Sequence, residues 1–254
     1  MSAARGLRKP ILRGVAVGGG AVAAAALLST LGARAQRVPA WRVLEPGLEH
    51  LSMERPDPEV DLVRFDLARF SPRVLVPGPR ALTTADEVRR AENAVAAVNG
   101  GFFDPERRPL GLRIADGRTV VPFRARVDWG VLAVENQRAR IVHSKDFVAT
   151  DGLDSAIQVG PRLVAARKPL KLKPQTAFRT AVAVDQDGRR LTLAVTRSQA
   201  GAQDLANLLS RLGFEDAMML DGGPSTQLAL ETPALSLRRP GGYPVPDLLV
   251  MRRR

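Results

Sequence analysis

Short apolar runs, cut by Gly, Pro, Asn and Asp, make up most of this chain, and few are long enough for a helix. Residues 47–53 and 60–67 read as strands on either side of the breaker Glu54-Arg55-Pro56-Asp57-Pro58-Glu59. Residues 73–76 form a third strand, ended by Pro77-Gly78-Pro79. Residues 110–114 and 119–121 pair as a hairpin across Asp116-Gly117, and residues 130–134 and 139–142 as another across Asn136-Gln137. The clearest hairpin joins residues 179–184 to 191–195 across Asp187-Gly188. Residues 156–159 lead to a Gly160-Pro161 corner, and residues 167–174 follow as a basic loop. Residues 226–230 and 247–251 supply the last strands, separated by a Pro/Gly-rich loop, while residues 36–46 read as a polar lead-in.

Two stretches carry helical signals. Thr83-Thr84 followed by Glu87 has the form of a capping box, which predicts a helix running to about Asn93 and giving way to a strand over residues 94–98. Residues 203–212 place Leu205, Leu208, Leu209 and Leu212 on one face, and Gly213 supplies the stop. Strands dominate, most connections look like hairpins, and no interior linker divides the chain. The expectation is a single α+β domain over residues 36–254, with a mixed, mostly antiparallel sheet and two main helices.

Each predicted helix leads to a strand and then to a glycine pair. The first corner is Asn99-Gly100-Gly101-Phe102-Phe103-Asp104; the second is Leu220-Asp221-Gly222-Gly223-Pro224-Ser225-Thr226. Paired glycines allow a sharp turn and close approach, because no Cβ intervenes. Read as a pseudo-repeat of helix–strand–Gly-Gly units, the pattern puts Asn99 and Asp221 at corresponding strand ends, facing one another across one site.

Composition narrows the chemistry. The chain has no Cys and only His50 and His143, which removes disulfides, thiolate catalysis and multi-His zinc sites. Arg5, Arg8, Lys9 and Arg13 precede an Ala/Val/Gly/Leu run and an Ala33-Arg34-Ala35 cleavage signature, so residues 1–35 read as a secretory signal. Left uncleaved, the same run would serve as a membrane anchor, the only membrane contact expected. Without this segment the formal charge falls from +12 to +7. A basic exported protein is drawn to anionic envelope polymers and phosphorylated glycans. Aromatics are only 4% of the chain, and with export this points away from nucleic acid.

At the second corner, Asp221 suits a base, a nucleophile or a metal ligand, and adjacent glycine amides suit an anion. The same Asp-Gly-Gly also reads as a plain tight turn. Ser225 lies outside any G-x-S-x-G pattern with no histidine near in sequence, so a serine triad is not expected. Asn99 and Asp104 offer an amide and a second carboxylate. Arg179, opening a strand after the basic loop, offers a guanidinium for bidentate phosphate binding.

Asn99 to Asp104, Leu110-Gly111-Leu112 before Asp116-Gly117, Gln158-Val159-Gly160-Pro161, Arg179-Thr180-Ala181 and Leu220 to Thr226 occur in this order. Together they resemble the phosphodiester glycosidase family over roughly residues 60–251. The chain departs from the family pattern at Gln158-Val159-Gly160-Pro161, where a double glycine is common, and at Pro224. The resemblance implies an exported hydrolase of sugar-1-phosphodiester linkages acting on a phosphorylated glycan. A phosphate leaving group lessens the need for a general acid, so the reaction calls for one carboxylate and for groups that hold the phosphate. Asp221 is expected in the catalytic role, with Asp104 second. Asn99, Gly100, Gly101, Arg179, Thr180, Gly222, Gly223, Ser225 and Thr226 are expected to bind substrate. No cofactor is required, and a divalent metal bridging Asp221 to phosphate is compatible with the scheme. Two rival readings are a non-catalytic protein binding anionic polysaccharide during exopolysaccharide assembly or export, and a metal-dependent phosphodiesterase cutting P–O.

Overall fold

The computed structural model describes residues 40–78 and 80–254, so the leader read over residues 1–35 lies outside the described residues. Among the described residues every strand pair is antiparallel, which narrows the expected mixed sheet to one kind of pairing. The largest sheet has eight strands. In spatial order they are Arg42–Glu45, Leu48–Met53, Val60–Asp66, Arg190–Thr196, Thr180–Val184, Asp216–Met219, Arg162–Ala165 and Lys168–Pro169. A five-stranded sheet runs Leu235–Arg239, Leu228–Thr232, Ala96–Asn99, Leu248–Arg253, Phe70–Leu75. A second runs Arg118–Val121, Arg113–Ala115, Leu153–Val159, Gly130–Glu135, Arg138–His143, and Thr176–Ala177 pairs separately with Ala200–Gly201.

The three large sheets close on one core, to which Phe65, Val98, Leu132, Ile157, Val182, Leu193, Met218 and Leu249 all contribute. Helix α1 (Ala85–Ala91) covers the outer face of the first five-stranded sheet, and α2 (Ala202–Arg211) covers the eight-stranded one. The strands beneath them are buried on both faces, which accounts for their unbroken apolar runs. Alternation survives as size. Val182 and Val184 face the shared core while Ala181 and Ala183 face α2, so small side chains lie where the helix must come close.

Local chemistry sets both helix ends. Thr84 accepts from the Glu87 N–H and Glu87 accepts from the Thr84 N–H, completing the capping box. The helix stops at Ala91 rather than Asn93, because Asn93 has already turned to φ 48°. Gly213, at φ 84°, follows the end of α2.

Three stretches depart from the sequence expectation. The polar lead-in contains the strand Arg42–Glu45, which returns on Leu48–Met53 through Gly47 at φ 81°. The loop before the last strand contains Leu235–Arg239, paired with Leu228–Thr232. Both are edge strands with half-exposed side chains, so neither shows a buried apolar period. Past the Gly160-Pro161 corner, Arg162–Ala165 pairs with Asp216–Met219 and with Lys168–Pro169 of the basic loop. The two helix–strand units are present, but each lies in a different sheet with different neighbours.

Leu209 is fully buried between α2 and the eight-stranded sheet. Leu209→Ala is expected to lower stability by about 2–5 kcal/mol, read as a reduced urea midpoint with an unchanged slope.

Candidate functional site

The two glycine corners meet where the eight-stranded sheet abuts the first five-stranded one. Asn99 ends a central strand of the latter and is fully buried. Its Nδ2 donates to the Asp221 carbonyl at 2.8 Å, and its Oδ1 accepts from Thr180 Oγ1 at 2.7 Å and from the Gln227 N–H at 3.2 Å. The Asp221 N–H donates to the Gly100 carbonyl at 3.0 Å. Asn99, Gly100, Thr180 and Asp221, drawn from three strand ends, are therefore in direct contact. Asn99 and Thr180 spend their hydrogen-bonding groups on this junction.

Beneath it lies a buried ion pair that the sequence reading missed. Arg113 Nε donates to Asp247 Oδ2, and neither side chain has any solvent exposure. Arg113 Nη1 also donates to the Leu110 and Gln158 carbonyls at 3.1 and 3.0 Å. Gln158 holds that segment in turn, accepting the Leu112 N–H at Oε1 and donating from Nε2 to the Arg124 carbonyl. A Cβ at Gly100 would collide with the Asp247 side chain, and one at Gly101 with the Arg113 guanidinium. The first glycine pair is thus explained by close approach to this ion pair. Burial pushes the Asp247 carboxyl up, against the pull of Arg113.

Three of the four glycine amides face inward. Gly100 donates to the Asp247 carbonyl at 2.8 Å, Gly222 to Asp221 Oδ1 at 2.9 Å and Gly223 to the Phe178 carbonyl at 2.8 Å. Gly222 is required because a Cβ there would stand 2.9 Å from the Phe178 carbonyl oxygen. Gly223, at φ 60°, opens the short 3-10 turn Gly223–Ser225.

Asp221 remains half-buried at this meeting point. Burial pushes its carboxyl above the usual range and the nearby Asp247 adds to the rise, while hydrogen bonding from Ser225 and the Gly222 N–H pulls the other way. Ser225 is fully buried, with Oγ 3.2 Å from the Tyr243 hydroxyl. Tyr243 packs edge-on against Phe103, which ties the two corners together a second time.

Arg179 is only 6% exposed, and its guanidinium donates to the Gln175 and Ala200 carbonyls. It bridges the approaches to the small Thr176–Ala177/Ala200–Gly201 pairing, beside Gly222. Among the described residues it has no carboxylate partner. Asp104 lies apart from the hydrogen-bonded junction. It accepts the Arg108 N–H at 2.9 Å and Arg108 Nε at 2.7 Å, which together hold its carboxyl below the usual range. Gly223, Pro224 and Thr226 form one wall of a cavity of about 540 Å³, completed by residues 176–178, the 196–199 turn and the 239–242 loop. Asp221 is not among its lining residues. No group of three or more His, Asp or Glu side chains is arranged as metal ligands among the described residues.

Arg113 and Asp247 each left a faint trace in the sequence. Asp247 stands just before an apolar run, Leu248 to Met251, where Asn99 and Asp221 stand just after theirs. Arg113 alternates with Leu112 and Ile114, a pattern that reads as solvent-facing unless both faces of the strand are covered.

A family model described as phosphodiester glycosidase matches residues 92–252. Solved structures share the fold, among them the following three. The catalytic domain of zebrafish N-acetylglucosamine-1-phosphodiester alpha-N-acetylglucosaminidase, auto-inhibited by its pro-peptide, aligns with TM-score 0.62 at 17% identity, covering 82% of each chain. A hypothetical protein from Synechocystis aligns at 0.58 and 17%, covering 86% of this chain and 64% of its own. A Burkholderia pseudomallei protein, provisionally described as exported, aligns at 0.57 and 15%, covering 81% and 74%. At these identities the likeness is one of fold. No curated protein matches the chain.

Arg113→Met leaves the Asp247 carboxylate buried without its partner and is expected to cost about 3–5 kcal/mol near neutral pH. The loss should shrink as acid neutralises Asp247, and should be much smaller in Arg113→Met/Asp247→Leu. Urea denaturation of the variants across pH checks both expectations.

Proposed function

The chain belongs to the phosphodiester glycosidase family, and from that premise we propose that it hydrolyses a sugar-1-phosphodiester linkage of an envelope or extracellular glycan, working outside the cytoplasm. The observation that carries this reading is Asp221, a half-buried carboxyl with a raised pKa at the contact between the two glycine corners. In the proposed reaction the bond from the sugar C1 to the phosphate oxygen breaks, and its electron pair leaves on the phosphate. Water attacks C1 and delivers a proton to the Asp221 carboxylate, which passes it to solvent. The phosphate is a good enough leaving group to depart without a partnered general acid.

The other residues take supporting parts in this reading. Arg179, a buried cation with no carboxylate partner among the described residues, supplies positive potential beside Gly222 for the departing phosphate. Ser225 orients Asp221, and Tyr243 holds Ser225 in place. Asn99 and Thr180 act by holding the corners in register, because their polar groups are engaged with protein. Asp104 acts through the loop it closes with Arg108, which carries Phe103 against Tyr243.

A panel of glycosyl phosphodiesters, N-acetylglucosamine-1-phosphodiesters included, should yield free sugar with this protein, and Asp221→Asn should reduce the rate by at least about a hundredfold. In ¹⁸O-water the label should enter the sugar; label in the phosphate would mean P–O cleavage and overturn the scheme. Because Asp221 must be ionised to act as base and its pKa is raised, activity should be lost as pH falls through a midpoint above the ordinary 3.8. A kcat/KM profile checks this, and an acid limb at or below that value would assign the base elsewhere.

A further inference from the structure

The basic stretch at residues 167–173 takes no part in the proposed reaction, yet the fold gives it a definite form. Residues 155–184 contain six basic side chains and no Asp or Glu. Three of the six are engaged with the protein. Arg179 turns inward, Arg162 packs over Gly130, and Arg167 Nε donates to Glu215 at 3.0 Å. The other three, Lys168, Lys171 and Lys173, are exposed, and none has an ion-pair partner among the described residues.

One side chain pins the backbone on both sides of Lys171. Gln203, in the first turn of α2, donates from Nε2 to the Leu170 carbonyl at 3.1 Å and accepts the Leu172 N–H at Oε1 at 3.0 Å. Its amide stands where a neighbouring strand would. The Leu170 N–H donates to the Leu163 carbonyl at 2.8 Å, and Leu172 packs against the core beneath α2. With leucines held inward at alternate positions, Lys171 and Lys173 share the solvent face. Lys168 precedes them on the edge strand Lys168–Pro169.

The residue types narrow the partner. The chain uses Arg 33 times and Lys five times, and three of those five lysines stand here. An ammonium is a compact point charge without the planar fork that selects one oxyanion, so this row reads charge density. Residues 167–174 contain no aromatic side chain on which a base could stack, which disfavours single-stranded nucleic acid. Leu170 and Leu172 are not exposed, so the row presents no large apolar group to a lipid surface. A linear chain with recurring carboxylates or phosphates complements it.

We infer that Lys168, Lys171 and Lys173 form a docking row for a linear anionic polysaccharide, outside the Asp221 corner. The same segment continues to Phe178, whose carbonyl accepts the Gly223 N–H, and so leads from the row to the second glycine corner. On the proposed reaction the row keeps a polymeric substrate near Asp221 between turnovers; its affinity for the polymer does not depend on that reaction.

Fluorescence anisotropy of labelled dextran, carboxymethyl-dextran and dextran phosphate with the full chain tests this without turnover. Both anionic forms should bind, plain dextran should not, and binding should weaken as salt rises. Lys168→Gln/Lys171→Gln/Lys173→Gln should lower the affinity at least about tenfold with Tm unchanged, because the three side chains are exposed and unpaired. Arg118→Gln/Arg126→Gln/Lys145→Gln removes the same charge from exposed positions elsewhere and should lower it less than about twofold. Equal losses in the two triple variants would mean attraction by net charge alone and overturn the inference. So would failure of the unaltered protein to bind either anionic dextran, or tighter lysine-dependent binding to phosphatidylglycerol vesicles or single-stranded DNA. Lysine-dependent binding without hydrolysis of any diester leaves the row standing and removes the proposed reaction; hydrolysis without such binding does the reverse.

Discussion

The buried ion pair between Arg113 and Asp247 is the contact on which the site's geometry depends. Two opposite charges without solvent exposure carry a large desolvation cost, and they are tolerable only with close geometry and further hydrogen bonds. Those bonds come from the Leu110 and Gln158 carbonyls, which require residues 110–113 and 158 to wrap the guanidinium. The Asp247 carbonyl accepts the Gly100 N–H, and the Gly100 carbonyl accepts the Asp221 N–H. The position of Asp221 therefore follows, two hydrogen bonds removed, from a pair of charges it does not touch.

The direction of the glycine amides changes where the site's polarity comes from. A glycine-rich corner invites the reading of a backbone nest for anions. Here the Gly100, Gly222 and Gly223 N–H groups are satisfied within the protein, so ligand-facing polarity has to come chiefly from side chains, with Asp221 at the junction foremost. The glycines serve approach and curvature, and the chemistry lies with their neighbours.

Much of the fold was legible because its strands are buried on both faces and its turns use residues with definite conformational roles. The hairpin over Thr180–Val184 and Arg190–Thr196, the capping box at Thr84 and the stop at Gly213 are all local signals, and each appears in the structure. The edge strands Arg42–Glu45 and Leu235–Arg239 were not legible, because half-exposed strands need no apolar period and their pairing depends on distant partners. At the site, the meeting of Asn99 with Asp221 was readable as an expectation from two similar corners. Arg113 with Asp247 was not, since an arginine flanked by apolar residues looks identical whether its strand is solvated or covered. The inward turn of the Arg179 guanidinium was hidden for the same reason: its acceptors are the carbonyls of Gln175 and Ala200, and sequence does not show where carbonyls point.

The hydrogen bond from Asn99 to Asp221 spans 122 residues and the Arg113–Asp247 pair spans 134. Contacts of that separation form only after long loops have closed, with the entropy of closure already lost. The corner around Asp221 is therefore not a portable motif. Its four strand ends come from four well-separated parts of the chain, and the last of them, at Asp247, is delivered by the strand Leu248–Arg253. The geometry around Asp221 and the completed tertiary structure are one event in this molecule, so the corner inherits the cooperativity of the whole fold rather than the stability of any local piece.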